Sequence, residues 1–136
     1  MKKEVVKVPQ FFEVKDAKGR REVPLSKAIK ANGFVFIGGT PPTDPKTGEF
    51  TGGDIESQTR RVLENLKMTL EAAGTSLDRV VKTTILSTNV AYFSEINEIY
   101  REYFPQDPPA RSFINVGSWP RKFDIEIECI ALAGDA

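Results

Sequence analysis

The sequence predicts an α+β domain: a mixed β-sheet with two helices packed on one of its faces. Three observations point there. The elements read in the order strands, helix, strand, helix, strands. The segment 54–73 repeats its apolar residues at helical spacing. The closing segment, 123–131, alternates apolar and charged residues with a period of two, as a strand with one buried face does. No linker, repeat or low-complexity tract divides residues 1–136, so they are read as one domain.

Residues 4–14, with Val6, Val8 and Phe11-Phe12, are predicted as an edge strand, and the charged stretch 15–20 as a turn joining it to a second strand. Asn32-Gly33 is a strong hairpin signal, because both residues tolerate positive φ. It leads into Phe34-Val35-Phe36-Ile37, a continuous apolar run that predicts a strand buried on both faces and ended by Gly38-Gly39. Residues 40–48 carry three prolines and a glycine and form a loop.

The helix over 54–73 places Ile55, Val62, Leu63, Leu66, Leu70 and Ala73 on one stripe. Asp54 caps its start and Gly74 follows its end. Arg60, Arg61, Glu64, Lys67 and Glu71 are read as a solvated face, with Glu64 and Lys67 spaced for a weak ion pair. β-branched residues predict a strand over 78–87. A second helix spans 92–103 with Phe93, Ile96, Tyr100 and Tyr103 on one face, and Pro105 and Pro108-Pro109 stop it. Strands over 111–116 and 123–131 follow. In the last, Phe123, Ile125, Ile127 and Cys129 face the helices; Asp124, Glu126 and Glu128 face water or a partner subunit.

Composition excludes several chemistries. There is no histidine, so no Ser-His-Asp or Cys-His arrangement and no zinc site of the usual His/Cys kind is possible. Proton transfer near neutral pH falls to carboxylate, lysine, tyrosine or bound water. Nineteen basic residues balance nineteen acidic ones, which argues against a nucleic-acid partner, because phosphate binding needs a clustered positive field. The single cysteine, Cys129, reads as a buried apolar residue and suits a reducing compartment. No apolar stretch is long enough to span a bilayer and no signal peptide is evident, so no membrane partner and a cytoplasmic location are expected.

Two residues stand out chemically. Pro108-Pro109-Ala110-Arg111-Ser112 sends an arginine into a strand behind two conformationally restricted prolines, which suits a guanidinium of fixed aim on a carboxylate. Taken alone, that pattern also fits an ordinary surface or ion-paired arginine. Glu126 becomes a usable acid or base if its face is covered, because desolvation raises a carboxyl pKa; uncovered, it is one of three carboxylates on a wet strand. Gly38-Gly39 either serves turn geometry or lets a ligand approach the backbone. Trp119 and the tyrosines 92, 100 and 103 are read as core or interface rather than as base-stacking platforms, since no basic residues interleave them.

These stretches carry a resemblance. Phe34-Val35-Phe36-Ile37-Gly38-Gly39 with Asp44-Pro45-Lys46-Thr47-Gly48, Gly53-Asp54-Ile55-Glu56-Ser57-Gln58-Thr59, Glu71-Ala72-Ala73-Gly74, Pro108-Pro109-Ala110-Arg111-Ser112 and Ile125-Glu126-Ile127-Glu128 together resemble the YjgF/RidA family over roughly residues 23–133. The resemblance implies a chorismate-mutase-like fold and a homotrimer with sites between subunits. It implies hydrolysis of 2-imino or 2-enamino acids to 2-keto acids and ammonia, without metal or organic cofactor. It casts Arg111 as the grip on the substrate carboxylate and Glu126 as the acidic residue beside a water. Three positions depart from the family pattern: Leu25 stands where a tyrosine is common, Gly38 where a serine is common, and Phe113 where a smaller residue is common. With Gly39 and Arg111 they form the expected substrate pocket, and they open the case for an imine other than 2-aminoacrylate, such as an aminomuconate-like one. The alternative reading is a trimeric module that binds small carboxylates as a regulator or chaperone without turnover.

Overall fold

The computed structural model describes residues 2–134. One six-stranded sheet runs through it, built from β1 (Glu4–Val5), β2 (Ala28–Ala31), β3 (Phe34–Thr40), β4 (Val80–Ser87), β5 (Ala110–Asn115) and β6 (Ile125–Leu132). The strand order is β1-β2-β3-β6-β4-β5. Every neighbouring pair is antiparallel except β4 and β5, which are parallel. The parallel pair requires a crossover, and α2 (Phe93–Tyr103) supplies it; α1 (Ile55–Ala72) connects β3 to β4.

Each element follows from its residues. Asn32 (φ 50°) and Gly33 (φ 84°) make the β2–β3 turn with two positive φ angles, the geometry that matches strand twist in a two-residue hairpin. The Ser57 N–H donates to the Asp54 carboxylate at 2.7 Å, which caps α1. All six apolar residues of the expected α1 stripe are buried. They meet Val35, Ile37, Ile85, Ile125, Ile127, Cys129 and Ala131 from the sheet in one core. Because Ile127 is fully buried at the centre of that layer, Ile127→Val should cost about 0.5–1.5 kcal/mol, read as a shift of the denaturant midpoint with an unchanged slope.

The structure corrects four expectations. Residues 4–14 are not one strand: only Glu4–Val5 pair regularly, and beyond them the chain turns so that Phe11 is buried. A single bridge, Lys15 to Arg21, closes the charged turn. β3 is covered on one face only, since Phe36 is 42% exposed, and it runs through Gly38-Gly39 to Thr40. A continuous apolar run thus marks two different surroundings: core for Val35 and Ile37, an open face for Phe36. Third, the charged side of α1 is partly an interhelical seam. Glu64 makes no ion pair with Lys67 among the described residues; it accepts a 2.6 Å hydrogen bond from Tyr103. Arg60 clasps Glu102 with both amino groups, at 3.1 and 2.9 Å. Fourth, Asp124 does not sit on a wet strand face. Thr88 and Gln58 donate to its carboxylate at 2.8 and 3.0 Å, tying the start of β6 to α1.

Both helices pack on one side of the sheet. On the other side Phe36, Val81, Ile114 and Leu132 remain 39–45% exposed. No described helix is long and apolar enough to cross a membrane.

Candidate functional site

Arg111 enters β5 directly after Pro108-Pro109. Its register partner on β4 is Thr83, which in turn lies opposite Cys129 of β6. Thr83 and Cys129 are both buried beneath the helices. Strand alternation therefore puts Arg111 on the helix-covered face, at the sheet's outer edge. There the guanidinium carbon stands 5.0 Å from the Tyr100 ring centre and 5.6 Å from that of Phe93. Each ring face attracts the cation and restricts its swing. Tyr100 is itself fixed, its hydroxyl 2.8 Å from Thr83 Oγ1. Phe113, two residues along β5 on the same face, meets Phe93 edge-on at 5.1 Å. Among the described residues Arg111 has no carboxylate partner. A groove of about 580 Å³ lies beside it, bounded by Asn97, Tyr100, Phe104 and Pro108. Asn97 Oδ1 is buried there and accepts no hydrogen bond among the described residues.

Glu126 belongs to a different place. It is the register partner of Leu86, on the sheet face away from the helices. The β3–β6 register shifts between Ile37 and Thr40, so Gly38 and Gly39 form an irregularity in front of it. A cavity of about 340 Å³ opens at that point, with Leu25, Lys27, Gly39, Thr40, Asn65 and Glu126 in its wall. Gly39 leaves room for the Glu126 carboxylate: a Cβ there would collide with Glu126 Oε1 and push that side chain aside. Gly38 has ordinary clearance, with Ser26 O at 3.9 Å from the position of an added Cβ. Burial pushes the Glu126 carboxyl above its usual range, and the neighbouring Glu128 charge adds to this.

The expected site residues thus fall into two groups. Leu25, Gly38, Gly39 and Glu126 share the cavity; Arg111 lines the α2 groove, and Phe113 lies two residues along β5 against Phe93, outside the groove's lining. The registers put Arg111 level with Cys129, three residues along and two strands across from Glu126. That is roughly 14 Å at ordinary strand spacings, and on opposite faces. One chain does not bring the two together.

The geometry also names residues that pattern reading passed over. Asn65 and Thr69 are polar positions on the buried side of α1. Asn65 donates to the carbonyls of Pro41 and Thr43 at 3.2 and 2.8 Å, fastening the 40s loop beside the cavity. A signal existed: both recur with Leu66 and Leu70 on the inward half of the helix, where only a partnered polar group is tolerated. Cys129 is buried, which pushes its thiol up to about 12 and leaves it unreactive. Trp119 stacks on Phe123 at 4.5 Å, and Phe123 on Phe50 at 5.1 Å, so its ring packs internally.

The family model described as Endoribonuclease L-PSP matches residues 18–133, most of the chain. A crystal structure of YyfA from Yersinia pestis, a member of the Rid protein family, superposes with a TM-score of 0.85 at 38% identity, covering 97% of this chain and 100% of that one. The chain belongs to the YjgF/RidA family. Its α+β sheet with two helices on one face is that family's fold. Among RidA relatives, the chloroplastic Reactive Intermediate Deaminase A of Arabidopsis thaliana is 47% identical over 108 residues, 79% of this chain and 58% of that protein. The human 2-iminobutanoate/2-iminopropanoate deaminase is 35% identical over 111 residues, 82% of this chain and 81% of that protein.

Proposed function

We propose that this RidA-family chain is a cytoplasmic deaminase that hydrolyses 2-imino and 2-enamino acids to 2-keto acids and ammonia, in sites completed between the subunits of a homotrimer. The observation that carries the proposal is the Arg111 guanidinium, aimed by two aromatic rings and without a carboxylate partner among the described residues. A planar fork held this way is suited to a substrate carboxylate. The names of the relatives from Arabidopsis and human point to the same reaction.

A site of both groups needs a second copy of the chain, because Arg111 and Glu126 lie apart on opposite faces. The open sheet face, with Phe36, Val81, Ile114 and Leu132, is the apolar surface such a copy would cover. Arg111 of one subunit then grips the carboxylate and presents C2 of the imine to the Glu126 cavity of the next. A water there attacks C2. One of its protons passes by way of Glu126 to the nitrogen, giving a carbinolamine; the remaining hydroxyl proton follows the same route to the amine, so the C–N bond breaks, ammonia leaves, and C=O forms. Leu25, Gly38 and Phe113 shape the space for the substrate side chain. This chemistry suits a chain with no histidine. A ribonuclease reading, which the family model's description suggests, has neither a histidine nor an overall positive charge behind it.

The test is release of ammonia and keto acid from imines generated in solution by amino-acid oxidases. Release well above the rate without protein is expected; equal rates, with the carboxylate still bound, would leave a binding module instead. Within this mechanism Gly39→Ala is informative, because its clash is with the movable end of Glu126 rather than with backbone. The fold should survive while kcat/KM drops roughly tenfold, as expected for a displaced reacting group. Sedimentation should give the mass of three chains.

A further inference from the structure

Lys27 is left unexplained by this mechanism. It lies beside the bulge, where the Gly38 N–H donates to the Lys27 carbonyl at 3.1 Å and fixes its backbone. Its ammonium stands 4.3 Å from the centre of the Phe11 ring. The side chain lines the same cavity as Glu126. The nearby Glu13 carboxylate is already taken: Lys15 holds one oxygen at 2.6 Å and Arg21 the other at 2.5 Å. Lys27 makes no ion pair with Glu126, and among the described residues no acceptor receives its hydrogens. A cation with three free donors is thus placed in a partly enclosed cavity with nothing anionic on it.

We infer that Lys27 is a second anion-binding point, which makes this cavity selective for imino acids carrying a further carboxylate on the side chain. The inference rests on the deaminase reading of the same site. In it, Arg111 from the adjoining subunit takes the carboxylate next to the imine, and Lys27 takes the distal one. Leu25 and Phe11 supply apolar wall in the same cavity, Phe11 directly beneath the Lys27 ammonium. A substrate with two carboxylates is then fixed at both ends, and one with a single carboxylate at one end only. The electrostatics agree. Burial pulls the Lys27 ammonium below the usual lysine range, Arg21 adds to that, and Glu13 opposes it. A bound carboxylate would reverse the effect, because an opposite charge within about 4–6 Å favours the charged form.

The experiment compares wild type, Lys27→Gln and Lys27→Arg on two imines made in solution, one from alanine and one from aspartate. Calorimetric binding of pyruvate and of 2-oxoglutarate is measured beside the rates. Wild type should prefer the aspartate-derived imine. Lys27→Gln should lose roughly tenfold or more in kcat/KM on it, with a change below about twofold on the alanine-derived imine, and Lys27→Arg should recover part of the loss. The calorimetry should show the same split, with 2-oxoglutarate weakened and pyruvate unaffected. Equal losses on both imines, or none on either, would overturn the inference and leave the deaminase reading standing. If wild type turned over neither imine, the deaminase reading would fall, and the calorimetry would decide whether Lys27 binds a second carboxylate: unchanged 2-oxoglutarate affinity in Lys27→Gln would overturn that as well.

Discussion

Arg111→Ala should lower kcat/KM for 2-imino acids by roughly 10²–10³-fold, about 3–4 kcal/mol, while the protein melts close to the wild-type temperature. The two halves of that expectation come from different observations. No described hydrogen bond or ion pair depends on the guanidinium; its contacts are the faces of Tyr100 and Phe93. Losing them costs stability on the order of 0.5–1 kcal/mol at a site with solvent access. The catalytic loss is larger because a bidentate partner for a carboxylate vanishes from a groove the substrate has desolvated. Arg111→Lys separates charge from shape. An ammonium keeps the charge but lacks the planar fork and stacks less well between rings, so only a minor part of the activity should return. Rates of ammonia release across the three proteins, beside their melting curves, decide the matter. Undiminished turnover by Arg111→Ala would remove the arginine from the mechanism; a collapse in melting temperature would make it a structural residue.

Much of this architecture was readable because short-range chemistry dictated it. The α1 stripe, the Asp54 cap and the Asn32-Gly33 turn are local patterns that appear where expected, and the alternation of β6 does so from Ile125 onward. Pro108-Pro109 marked the segment that delivers Arg111, and alternation placed Glu126 opposite the core. What could not be read depends on which surfaces meet across distance. Nothing near Glu64 in sequence announces Tyr103, thirty-nine residues away. Burial gives Tyr103 a hydroxyl pushed up to about 12, with Glu64 adding to the shift. Phe36 looked like core because its neighbours are apolar, yet the face it occupies is bare of helices. The separation of Arg111 from Glu126 is of the same kind. It is a property of strand order, and β6 lies between β3 and β4 although it is the last strand in the chain.

Glu126→Gln should abolish most turnover and yet leave the folded protein at least as stable at neutral pH. The carboxyl is half-buried behind Gly39, where burial chiefly, and the charge of Glu128 secondarily, hold its pKa above the ordinary 4.5. Folded protein therefore keeps this proton at pH values where unfolded chain has released it. The contribution to stability is full below the unfolded value and is lost as pH rises through the folded one. A neutral amide of the same shape removes that dependence, so in the window above 4.5 the melting temperature of the variant should fall less with pH than that of wild type. Activity runs the opposite way. The carboxylate form takes the proton from the attacking water, so kcat/KM should climb across the same window in which stability declines. In Glu126→Gln that limb should disappear and the rate should fall by roughly 10²–10⁴-fold, the usual worth of a positioned acid–base group. A variant that kept both the rate and the rising limb would show that some other group handles the proton. Loss of rate together with a lower melting temperature at every pH would instead mean that Glu126 supports the β3–β6 bulge. Stability gained and catalysis lost by one substitution is the expected mark of a charge held in an unfavourable place because the reaction needs it there.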